Sequence, residues 1–233
     1  QGVAVRSSGT PIKDLFPARD VDPATEVASR KLLADLNRRH LNERGESDVL
    51  TARIRSYALS ERMQAVIPEV ANLAAETKSV HQMYGLNAEP SADFGRSCLL
   101  ARRLLERGVR FVQMFSGGAF GSPRINWDGH EDMVKNHGRE AARVDQPLAA
   151  LLTDLKARGM LDSTLVIWGG EFGRTPMAQS NKGRVGRDHH MRAFSMFLCG
   201  GGIKGGITHG ATDDLGYNAV EDVVHINDLH ATM

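Results

Sequence analysis

The chemistry-bearing residues of this 233-residue chain gather in three polar stretches. One of them, WGGEFGRTP at 168–176, sets Glu171 and Arg174 around Phe172 and Gly173 where the apolar run 164–167 ends. The second, NWDGH at 126–130, carries Asp128 and His130, and the third, GRDHH at 186–190, carries Arg187, Asp188, His189 and His190. Carboxylate and imidazole together are the ligand set for zinc, manganese or iron. In an extended segment Asp128 and His130 point to the same side and can share one ion, whereas Asp188 and His189 diverge unless the loop turns. The competing reading makes these residues loop caps and partners of nearby arginines. Glu131, Asp132 and His137 lie in the run toward the next helix and read as exposed.

The elements that would position these groups are legible from periodicity. Runs at 109–115, 164–168 and 193–199 are short, apolar and rich in branched and aromatic residues, which predicts strands. Val144, Leu148, Leu151, Leu152 and Leu155 mark a helix closing at Gly159, with Pro147 either kinking it or lying in its first turn behind Asp145. Strand, helix, strand is a parallel crossover, and nearly continuous apolar strands belong to a sheet covered on both faces. Ligands of open α/β sheets bind beyond the carboxyl ends of the strands, where the polar stretches begin. Three strands are few against a usual five or six, so the sheet is expected to lack its first strands. The start at Gln1 without Met, and a close at Met233 in what reads as a helix start, suggest a piece of a longer protein.

The front half has a different texture. Residues 1–22 are a turn-rich lead-in; Val27, Leu33, Leu36 and Leu41, then Leu50, Ile54, Tyr57 and Ala58, recur at helical spacing, with a weaker helical stretch after Pro68. A further helix is marked by Ser91 as N-cap, the stripe Phe94, Cys98, Ala101, Leu105, and Gly108 as stop. Arg96, Arg102, Arg103 and Arg107 on that helix read as a solvated face. The expected division is a helical region over 1–107 and an α/β core over 108–233.

Composition narrows the function classes. With 41% hydrophobic residues a substantial core can be buried, and 29 basic against 28 acidic residues leave a net charge of +1, too little to recruit nucleic acid or an anionic membrane. No stretch approaches the roughly 20 apolar residues that cross a bilayer, and the start shows no export signal. Cys98 and Cys199 fit buried thiols better than a metal pair or a bridge. The glycine run 200–206 lacks a Ser or Thr after Lys204, which excludes a phosphate loop of the Walker type. There is no Gly-x-Ser-x-Gly elbow; Ser116 ends a strand, but nothing adjacent identifies a base for it.

Taken in order, WDGH (127–130), GEFGRTP (170–176), GRDH (186–189) and GGGIKGGITHGATD (200–213) resemble the bacterial family catalogued as domain of unknown function 1501. Its members are sulfatase-like proteins grouped with the alkaline phosphatase superfamily. The resemblance implies an α/β fold, a three-layer α/β/α sandwich with a mostly parallel sheet and a helical front half. It implies a divalent metal (Zn, Mn or Ca) held by Asp128 and His130 and closed by His189, with Asp188 a further metal candidate. Glu171 falls where the superfamily places the Asp of an Asp-His-Gly turn that binds a second metal, and Phe172, which cannot ligate, replaces the His. Glu171 and Arg174 take catalytic roles in this scheme, and Arg187 and His190 bind substrate, a small anionic sulfate or phosphate ester. The nucleophile is expected upstream of this chain, since neither cysteine has the Cys-x-Pro-x-Arg context of formylglycine. An extracytoplasmic location is implied by the same resemblance. The alternative is a non-catalytic sulfatase-like binding or structural protein that has lost metal ligands.

Overall fold

The computed structural model describes residues 4–6, 9, 11–12, 21–45, 47–117, 126–170, 173–179 and 185–233. The chain divides into two compact units, Gln1–Ala75 and Glu76–Met233. In the first unit α1 spans Pro23–Arg44 and α2 spans Asp48–Ala71, followed by a 3-10 turn at Leu73–Ala75. Helix α1 starts where Asp22 accepts from the Ala24 and Thr25 N–H groups at 3.2 and 2.9 Å and Pro23 fills the first turn. It stops at Gly45, whose φ of 77° suits glycine. Pro68 lies inside α2, and the helical stretch expected after it consists of the last turn of α2 and the 3-10 turn.

The second unit begins with α3, Lys78–Met83, and α4, Ala92–Glu106, and its longest element is α5, Met133–Ala157. Helix α4 buries Phe94, Cys98, Ala101 and Leu104, and α5 turns Val144, Leu151 and Leu155 inward where the two helices pack. Burial pushes the Cys98 thiol up to about 12, so it stays a neutral, inert packing group. Cys199 is half-buried and, like Cys98, unbridged. Gly95 permits the approach of α4 to Tyr84, since a Cβ there would stand 2.2 Å from the Tyr84 carbonyl oxygen. Ser91 does not cap forward as its position predicts; its hydroxyl donates backward to the Gly85 and Ala88 carbonyls. Pro147 sits deep within α5, not in its first turn. No helix of the described residues is long and apolar enough to cross a membrane.

The arginine face of α4 departs from expectation. Arg102 is 2% exposed, and its guanidinium meets Glu76 at 2.9 Å, Glu106 at 2.7 Å and Asp154 at 3.1 Å. Arg103 also pairs with Glu76, Arg158 joins Glu106 to Asp154, and Tyr84 donates to Asp154. A helix side rich in charge has become a buried ion network because Glu76 from before α4, Glu106 at its end and Asp154 from α5 converge on it. Burial alone would raise the Glu76 carboxyl, but hydrogen bonds and charge from Arg103 and Arg102 hold it below its usual 4.5. A carboxyl depressed on folding binds fewer protons in the native state than in the unfolded one, so its stabilisation is full above pH 4.5 and is lost as pH falls through the lowered value. Urea midpoints should therefore decline below pH 4.5, and Glu76→Gln should flatten that decline.

The strands are short. After a 3-10 turn at Leu161–Ser163 come β1 (Val166–Trp168), β2 (Gly173–Arg174), β3 (His189–His190), β4 (Phe197–Cys199), β5 (Ala211–Thr212) and β6 (Ala219–Glu221), then α6 (Ile226–Thr232). They form three antiparallel pairs: β1 with β4, β2 with β3, and β5 with β6. The α and β content agrees with the sequence reading, but among the described residues there is no parallel sheet and no three-layer sandwich. A parallel pair needs a crossover such as a helix. Between β1 and β4 there is no helix among the described residues, and the chain returns antiparallel with Ile167 opposite Leu198. Segment 109–115, expected as a strand, forms none and pairs with no described strand, although it alternates half-buried Val112 and Met114 with exposed Phe111 and Phe115.

Candidate metal centre

Three connected strips of backbone build the site within the second unit. The strip 185–187 runs beside the strip 129–133: Arg187 N–H donates to the Gly129 carbonyl at 3.1 Å and Met133 N–H to the Val185 carbonyl at 3.0 Å. Between those bonds Gly186 presses on His130, and a Cβ there would lie 1.8 Å from the His130 carbonyl oxygen, so only glycine fits. The third strip is β2, paired with β3 so that Arg174 faces His189 and Gly173 faces His190. Beyond β2, Thr175 N–H donates to the Asp188 carbonyl and Gln179 N–H to the Gly186 carbonyl, at 2.9 and 3.0 Å. Backbone pairing thus brings 126–130 and 185–190 together.

Asp128 is at the centre. Its Oδ1 lies 3.0 Å from His130 Nε2, 3.1 Å from His189 Nε2 and 3.5 Å from Arg174 Nη2. The loop is shaped locally, with Asp128 N–H bonded to the Asn126 side chain, Gly129 at φ 53°, and the His137 ring held by the Trp127 carbonyl. Each of Asp128, His130 and His189 offers one ligand atom, all within 4.8 Å of one another and half-buried. Two donors about 2 Å from one tetrahedral ion stand about 3.3 Å apart, close to the 3.0 and 3.1 Å found here. One carboxylate and two imidazoles suit zinc or manganese, and three protein ligands fall one short of tetrahedral coordination.

The other expected site residues take different places. Asp188, one residue before β3, stays outside the triad: its side chain is 57% exposed and its Oδ1 is 3.8 Å from His130 Nδ1. His190 is buried, with Nε2 at the Tyr217 carbonyl and its ring against that of Tyr217. Arg187 contributes backbone, bonding Gly129 and accepting from Arg174 at 3.4 Å. Arg174 reaches the Trp127 carbonyl at 3.3 Å as well, so its guanidinium ties both loops to Asp128. Glu171 and Phe172 lie outside the described residues, so the second-metal position has no geometry here. His137, Glu131 and Asp132 are half-buried, not exposed, the His137 ring lying against that of Trp127. Ser116 accepts the Trp127 indole N–H at 2.9 Å. Gln179 was not singled out by sequence; its side-chain oxygen lies 2.5 Å from His130 Nδ1.

The chain matches, over residues 1–233, a family described as "Protein of unknown function (DUF1501)", and it belongs to that family. No curated protein matches it. No solved structure matches it either.

Proposed function

We propose that this DUF1501 chain is a metal-dependent hydrolase of small sulfate or phosphate esters, of sulfatase-like kind. One observation carries the reading: Asp128 and His130 from one loop and His189 from β3 each place a ligand atom within 4.8 Å of the other two. The motifs at 127–130, 170–176 and 186–189 supply the sulfatase-like part of it. A divalent ion held there would supply polarisation of an ester oxygen. Arg174 keeps Asp128 in place and, at 16% exposure, sits as a cation behind the carboxylate. Asp188 and Arg187 belong to the rim. Asp188 Oδ1 accepts from His189 N–H at 2.8 Å, which orients the strip that delivers His189. A second reading, a metal-binding protein without turnover, draws on Phe172 standing where a ligating His is usual in the superfamily.

The test is ion content of the purified full chain after dialysis, with turnover on a panel of aryl sulfates and phosphates. One zinc or manganese per chain with metal-dependent hydrolysis is the expected result. An ion without turnover favours the second reading, and neither ion nor turnover overturns both.

A further inference from the structure

We infer that Gln179 is a positioning residue for His130: it holds the proton on Nδ1 and so turns the Nε2 lone pair toward the point shared with Asp128 and His189. The inference rests on the reading of that triad as a metal centre. His130 Nδ1 lies 2.5 Å from Gln179 Oε1, and with that oxygen, which can only accept, facing the ring, Nδ1 is the donor. A neutral imidazole carries one N–H, which leaves Nε2 unprotonated 3.0 Å from Asp128 Oδ1. The Gln179 main chain is itself fixed, because its N–H donates to the carbonyl of Gly186, the glycine pressed against His130. The same backbone contact that joins the loops therefore also aims the amide at the ring. Asp188 Oδ1 stands 3.8 Å from Nδ1, too far to replace it. A partner on the far nitrogen fixes both tautomer and ring orientation, and its loss typically lowers metal affinity about 10–100-fold.

The amide could also be turned to place its nitrogen on the ring, which would put the His130 proton on Nε2 and exclude ligation. Carboxylate in place of amide separates the two arrangements, since it can only accept. The experiment is titration of full-length wild type, Gln179→Leu and Gln179→Glu with zinc in competition with a chromophoric chelator. Far-UV circular dichroism serves as the check on folding, and long-range 15N–1H correlation spectra of the histidines identify the tautomer. Expected are a loss of about 10–100-fold for Gln179→Leu, zinc affinity for Gln179→Glu no weaker than wild type, and Nδ1–H on His130 in the wild type. Equal affinity in all three proteins, equal weakening in both variants, or Nε2–H on His130 would overturn the role of Gln179 while leaving the metal centre standing. A wild type that binds no zinc would overturn the centre and this assignment together.

Discussion

Asp128→Ala should abolish stoichiometric ion binding, with affinity falling by at least about 100-fold, since even loss of an outer partner costs about 10–100-fold. The size of the effect follows from charge. Asp128 is the only anion in the triad, and Arg174 stands 3.5 Å from it. Without the carboxylate, the remaining two imidazoles would have to hold a dication beside an uncompensated guanidinium. Asp128→Asn keeps an oxygen donor and an acceptor for Arg174, so it should fall between wild type and alanine. His189→Ala should resemble Asp128→Ala, because His189 is the ligand that comes from β3. Zinc at 100 times its dissociation constant should stabilise wild type by about 2.7 kcal/mol and leave Asp128→Ala unmoved. The metal-free variant should lose no more than about 1 kcal/mol, as expected for a partly exposed ion pair. A variant that retains its zinc would remove Asp128 from the centre.

Arg102→Met should be the most damaging substitution for stability. Its guanidinium is 2% exposed and meets three acids, of which Asp154 is 7% and Glu76 12% exposed. Removing one partner from a buried ion cluster costs about 3–5 kcal/mol, because the buried acids left behind lose the cation that joins them. For a chain of this size that corresponds to a fall in Tm of about 6–20 °C, at about 2–4 °C per kcal/mol. Arg158 and Arg103 would still touch Asp154, Glu106 and Glu76, which limits the loss but leaves the centre of the network empty. Arg96→Met on the same helix is the control. Its partner Asp93 is 79% exposed, and the change should cost about 1 kcal/mol or less. Urea or thermal unfolding of the two variants side by side checks the contrast, and equal effects would mean that the network contributes nothing specific.

Arg96 and Arg102 also show where sequence reasoning stops. Both are arginines on one amphipathic helix; helical spacing sets Arg102, four after Cys98, beside the apolar stripe and Arg96 on the opposite side, but it does not say which acids would meet Arg102. Arg102 is buried because Glu76 and Asp154, 26 positions before it and 52 after it, are delivered to the same place. The stripe Phe94, Cys98, Ala101 is different: its 3- and 4-residue spacing is itself the helix face that packs, and all three side chains are buried. The site divides the same way. Asp128 and His130 do come to one side, but across a turn with Gly129 at φ 53° and not by the alternation of an extended chain, which is a property of the folded loop. Gln179 gave no signal, since its partner His130 is 49 residues away.

What the sequence determined alone was set by neighbours along the chain: the long helices, the stop signal at Gly108, the apolar stretches that become β1 and β4, and the family-bearing polar motifs. Strand direction was decided only in three dimensions. An apolar run such as 193–199 reads the same whether its partner is parallel or antiparallel, and the choice depends on the path by which the chain returns from β1 to β4. The roles of Arg174 and Gln179 were decided there too, by backbone bonds that seat one loop against another. Periodicity is a property of residues a few positions apart, whereas a shared ligand point or a buried ion network exists only once distant segments have been brought into contact.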